Sequence, residues 1–142
     1  MEEMVYQNER ICKLLHLGKY QDYEYFILSL GTHPTAYIDL GPAKFLEIGE
    51  RKIGETVVGY ELKTFSTGDI FVHGGITYER YGLKDDEGPL VSDMNFVIGW
   101  DYAHLGDQFG KSTIMGTKYT TDMILEEVKS VIQQLGYRER GE

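Results

Sequence analysis

Apolar positions along the chain follow a helical period at both ends and a strand-like pattern between them. From Asn8 to Leu17, Ile11, Leu14 and Leu15 fall on one helical face, Asn8 occupies a capping position and Gly18 can close the element, which predicts a short amphipathic helix. Tyr23 to Leu30 carries the apolar run Tyr25-Phe26-Ile27-Leu28, too short and too aromatic for a helix, and predicts a strand. Gly31-Thr32-His33-Pro34 turns the chain, and Ala36 to Leu40 reads as the returning strand of a hairpin. Pro42 to Ile48 predicts one or two helical turns, with Gly49 and Gly54 limiting anything longer.

Thr56 to Leu62 and Ile70 to Tyr78 predict two further strands. In the second, Ile70, Val72, Ile76 and Tyr78 share one parity around Gly74-Gly75, which reads as a bulge. Gly82 to Asp93 contains Lys84-Asp85-Asp86-Glu87-Gly88-Pro89 and predicts an exposed acidic loop. Met94 to Tyr102 returns to strand character through Phe96, Val97, Ile98 and Trp100. Thr120 or Thr121 then caps a helix in which Ile124, Val128, Val131, Ile132 and Leu135 repeat at helical spacing, with Asp122 at its positive end and Gly136 as its stop. The order helix, strands, helix predicts one α+β domain over residues 1–142, with a mainly antiparallel sheet packed by the C-terminal helix.

Composition narrows the function classes. The 142 residues are 42% hydrophobic, enough for a single core. The 23 acidic residues outnumber the 14 basic ones, giving a net charge of −9, so non-specific nucleic-acid binding is disfavoured by repulsion from the phosphate backbone. Apolar runs are only a few residues long, far short of the ~20 needed to cross a bilayer, so no membrane association is expected. The single Cys12 cannot form an internal disulfide, and no basic start leads into an apolar run, which together predict an intracellular, cytoplasmic protein. Cys12 has no activating neighbour in sequence and reads as a small packed side chain. The chain holds 11 Tyr, 6 Phe and one Trp, a supply that suits half-buried strands and also stacking on a planar ligand.

Two segments concentrate candidate chemistry. Val72-His73-Gly74-Gly75-Ile76-Thr77-Tyr78 and Gly99-Trp100-Asp101-Tyr102-Ala103-His104-Leu105-Gly106-Asp107 hold two of the four histidines, two aspartates and several glycines at the ends of apolar runs. These segments are expected to meet in one concave site. His73, His104, Asp101 and Asp107 are the candidate catalytic groups, and Gly74, Gly75, Thr77, Tyr78, Trp100, Tyr102, Gly106 and Lys111 the candidate ligand contacts. Asp101, His104 and Asp107 recur every three residues, which one tight turn would gather with His73 into a metal site, although the spacing matches no diagnostic metal pattern and names no particular metal or cofactor. Without a metal, His73 and His104 could act as acid and base. Gly106-Asp107-Gln108-Phe109-Gly110-Lys111-Ser112 has three residues between its glycines where a phosphate-binding P-loop needs four, so it is not read as one. Lys111 or Arg80 could still meet a phosphate singly. His33 and His16 have ordinary turn and helix-end explanations.

His33-Pro34-Thr35-Ala36-Tyr37, His73-Gly74-Gly75-Ile76-Thr77-Tyr78 and Gly99-Trp100-Asp101-Tyr102-Ala103-His104-Leu105-Gly106-Asp107, with the helix starting near Lys118-Tyr119-Thr120-Thr121 behind them, resemble a family of small proteins encoded by bacteriophages and prophages. The resemblance covers roughly residues 25–135. It departs at Glu79, where a serine commonly follows the tyrosine, and in the acidic Gly82–Asp93 stretch. It implies expression in the cytoplasm of a bacterial host and an accessory role in infection, without supplying a reaction. By analogy with small phage proteins that bind or cleave nucleotide signals of host defence, the leading expectation is recognition of a small phosphorylated, nucleotide-derived ligand. The alternatives are an acidic protein-binding inhibitor that presents Asp85, Asp86 and Glu87 to a basic host surface, and a metal-dependent hydrolase. Self-association as a homo-oligomer is compatible with all three.

Overall fold

In a computed structural model the chain is described at residues 13–30, 33–102 and 120–139. Seven strands precede the helix: β1 (Lys13–Tyr20), β2 (Tyr23–Ser29), β3 (Pro34–Pro42), β4 (Ile48–Ile53), β5 (Thr56–Leu62), β6 (Tyr78–Asp85) and β7 (Gly88–Asp101), then α1 (Thr121–Glu139). Five strands form one sheet in the order β1-β2-β3-β7-β6, antiparallel at every pairing, while β4 and β5 make a separate two-stranded hairpin. The expected α+β architecture is present, with the C-terminal helix packed on the sheet.

One face of the sheet is covered by α1. Ile124, Val128, Val131, Ile132 and Leu135 bury against Tyr25, Ile27, Ala36, Ile38, Ile98, Trp100 and Tyr102, the inward-pointing residues of three adjacent strands. Thr120 caps the helix, its hydroxyl accepting the Met123 N–H at 3.2 Å. Gly136 does not end the helix, which continues to Glu139. A tolerated glycine costs only about 1 kcal/mol in a helix interior, and buried Leu135 just before it holds the helix to the sheet.

The opposite face is covered by the sheet itself. Between the pairs Tyr81↔Phe96 and Leu83↔Val91, Ser92, Asp93, Met94 and Asn95 of β7 stand opposite the single Gly82 of β6, an irregularity that bends the ladder. Gly82 takes a left-handed φ of +75°, and a Cβ there would collide with the Asp93 carboxylate, so only glycine permits this bend. Beyond it the hairpin lays Leu83, Leu90 and Val91 over Phe26, Leu28, Tyr37 and Val97. Its tip returns toward the first strand, where Lys13, Leu14 and residues 85–90 line a groove of about 520 Å³.

Three local expectations are corrected by this arrangement, and one strand is present that the pattern did not predict. Within the expected Asn8–Leu17 helix, Lys13–Leu17 belongs to β1, because a two-residue turn at Gln21-Asp22, with Gln21 left-handed (φ 55°), pairs this segment with β2; residues 8–12 lie outside the described residues. The acidic Gly82–Asp93 stretch is a hairpin, with Asp85 Oδ1 accepting the Glu87 N–H at 2.8 Å in its turn. The expected Ile70–Tyr78 strand is a loop up to Thr77. The β4 strand, rich in charge and glycine, had no strand signature of its own and is paired by β5. The hairpin of β2 and β3, a 3-10 turn at Ala43–Phe45, and strands β5 and β7 fall where the pattern predicts them.

Gly99 on β7 marks the tightest approach in the sheet. A Cβ there would lie 2.6 Å from the Ala36 carbonyl oxygen and 2.5 Å from the Tyr37 ring, which instead crosses the glycine to meet Tyr78 edge-on at 4.8 Å. Gly99→Ala is therefore expected to destabilise the fold by about 2–3 kcal/mol, because the overpacked partner is backbone and cannot rotate away. Urea titration checks this through a lowered midpoint at unchanged slope.

Candidate functional site

The His73 segment is held by the helix rather than by a neighbouring strand. The Gln134 amide grips Phe71 at both ends of its peptide, accepting its N–H at 2.8 Å and donating to its carbonyl at 2.9 Å. One carboxylate oxygen of Glu127 accepts the His73 N–H at 2.8 Å. Gly75 N–H then closes on Val72 O at 3.0 Å, a turn whose third residue, Gly74, has φ +72° as a type II turn requires. These bonds explain why alternation failed here: the backbone of the loop is satisfied by helix side chains, so no strand ladder is needed.

Behind the loop lies a buried polar relay. Trp100 Nε1–H donates to the Tyr102 hydroxyl at 2.9 Å, and that hydroxyl donates to the second carboxylate oxygen of Glu127. The His73 ring stacks on the Tyr102 ring, centroids 5.1 Å apart and planes 10° from parallel. Trp100 and Tyr102 are each 1% exposed, so both belong to the core and His73 is the ring that faces outward from the stack. His73 and the end of β7 are thus neighbours.

The remaining sequence candidates divide between the two faces. Trp100 and Tyr102 share the helix face with His73, Gly74 and Gly75. Tyr78 pairs with Gly99 and Asp101 with Thr35, so strand alternation puts Tyr78 and Asp101 on the other face, and Thr77, exposed, adds its N–H to Gly99 O at 2.9 Å. His104, Gly106, Asp107 and Lys111 lie outside the described residues. No group of three His, Cys, Asp or Glu side chains among the described residues is placed to hold a metal ion.

On the Tyr78 face is a groove of about 460 Å³, lined by Tyr78, Arg80, Tyr81, Gly82, Leu83, Lys84, Pro89, Val91, Ser92 and Asp93. The Arg80 guanidinium sits over the Tyr78 ring, 5.7 Å from its centroid, and has no carboxylate partner among the described residues. The Tyr78 hydroxyl donates to the Gly82 carbonyl at 3.2 Å, which fixes the ring at the bend of β6. Lys84 and Asp93 escaped sequence reasoning because they were assigned to a loop; the cue was the alternation of Leu83, Leu90 and Val91 about a two-residue acidic turn. Glu127 was missed because a helix glutamate ordinarily reads as solvated, and its only cue is Gln134 seven residues later on the same helix side.

No family model, curated protein or solved structure matches the chain. No helix among the described residues is long and apolar enough to cross a membrane.

The relay makes a specific stability prediction. Glu127→Ala leaves the Tyr102 hydroxyl and the His73 N–H without their acceptor and should cost about 1–3 kcal/mol. Hydrogen exchange is expected to accelerate at the His73 and Gly75 amides while the β2–β3 ladder stays protected. Equal acceleration across the sheet would mean that Glu127 supports the whole fold and not the loop.

Proposed function

We propose that the protein recognises a small phosphorylated, nucleotide-derived ligand in the groove of Tyr78, Arg80 and Lys84. The observation that carries this reading is the Arg80 guanidinium over the Tyr78 ring, without an ion-pair partner among the described residues, in the lining of the groove. A guanidinium supported on a ring can present its N–H fork to phosphate and its plane to a base, and Lys84 adds a second positive charge. A local pair of cations suffices despite the net charge of −9, since a groove focuses its own field and the Debye length is only about 8 Å at physiological salt. In keeping with the resemblance to phage-encoded proteins, we place this activity in the cytoplasm of a bacterial host, where the ligand would be a signal of host defence.

A metal-dependent hydrolase gains no support from the described residues, and an acidic inhibitor is a second reading only insofar as Asp85, Asp86 and Glu87 are gathered on a hairpin tip. Calorimetry and thermal unfolding against cyclic dinucleotides and ADP-ribose derivatives test the proposal. Binding heat and a raised unfolding temperature are expected with at least one of them, and Arg80→Ala should weaken that binding by about tenfold or more, the worth of one charge-assisted hydrogen bond. Silence across the panel in both measurements would remove the reading. Chromatography of ligand recovered after denaturation separates sequestration from cleavage.

A further inference from the structure

The groove carries a carboxylate that phosphate recognition alone does not explain. Asp93 lines it together with Arg80 and Lys84, and its Oδ1 is packed against Gly82 at the bend of the sheet. No hydrogen bond or ion pair engages it among the described residues, so it shares the groove with Arg80 without an ion pair to it. Its position is built: Gly82 has φ +75° and no side chain, and any Cβ there would occupy the space the carboxylate takes. A bare anion such as inorganic pyrophosphate would be attracted by Arg80 and Lys84 and repelled by Asp93. A ligand that joins an anionic end to hydrogen-bond donors satisfies all three.

We propose that Asp93 is the specificity-determining residue of the groove, accepting hydrogen bonds from the vicinal hydroxyls of a ribose while Arg80 and Lys84 hold the phosphates. The inference rests on the ligand class proposed above and deepens it: the groove selects ribonucleotides over deoxy forms and over free phosphates. Two hydroxyls can bond the two oxygens of one carboxylate, an arrangement that loses both donors when the hydroxyls are removed. Discrimination of this kind arises because a carboxylate that the bound ligand shields from water is left unpaired when the hydroxyls are missing.

The test compares three probes on the full chain by calorimetry: ADP, 2′,3′-dideoxy-ADP and inorganic pyrophosphate. Unsubstituted protein should bind ADP about tenfold or more tighter than the dideoxy form. Asp93→Ala should abolish that difference and bind pyrophosphate more tightly than the unsubstituted protein does. Asp93→Asn, which keeps the shape and removes the charge, should relieve the repulsion of pyrophosphate and retain part of the ribose preference. Asp93 is exposed, so both variants should keep the unfolding midpoint. Equal binding of ADP and its dideoxy form by the unsubstituted protein overturns the role of Asp93 and leaves the phosphate groove standing. Failure of ADP to bind, with pyrophosphate bound, overturns the nucleotide reading as well as this one.

Discussion

A five-stranded sheet presents two apolar faces, and the described chain supplies one helix to cover them. Everything else in the fold follows from how the second face is kept from water. The solution is a bend: four residues of β7 set against Gly82 turn the β6–β7 hairpin back across Phe26, Leu28, Tyr37 and Val97. Burial of these side chains is worth about 1.5–3 kcal/mol each, far more than the roughly 1 kcal/mol that a glycine costs a strand interior, so the bend is favourable even though it interrupts the ladder. The price of covering the face is therefore a local break in pairing, and that break is where the groove lies.

The same economy of elements separates the two places that carry polar chemistry. On the helix side, Glu127 and Gln134 bind backbone groups of residues 71–73, so the helix positions a loop as well as covering a core. On the other side, the bend brings Arg80 and Asp93 to the rim of a space that a regular sheet would have closed. Polar side chains from the helix serve the loop; polar side chains from the strands face the groove.

Sequence patterns revealed the elements that alternate or repeat cleanly. The buried run of β2, the Phe96–Trp100 half of β7 and the Ile124–Leu135 stripe each have one strongly preferred partner surface, and each lies where periodicity indicates. The errors share a cause, which is that non-local partners overrode local spacing. Leu14 and Leu15 fit a helix until Tyr23–Ser29 is available as a hairpin partner, and the acidic residues 84–88 conceal the flanking Leu83, Leu90 and Val91. Within the candidate site, the nearness of His73 to the end of β7 was legible from glycine and apolar context. Glu127 was not, because its role depends on a residue 54 positions away in the chain. Strand parity put Tyr78 with Ile70, Val72 and Ile76; those three pack on the helix-side core, while the loop through Gly74 and Gly75 breaks the parity and Tyr78 packs on the other face.

Trp100 is the only tryptophan in the chain, and its indole is enclosed between the sheet and α1 with its N–H on the Tyr102 hydroxyl. The protein thus contains a native optical probe at the seam between helix and sheet. Indole emission moves to longer wavelength when water enters, so undocking of α1 would be visible without any label and separable from events at the distant hairpin tip. The helix-packed half of the molecule can be followed in time by light alone.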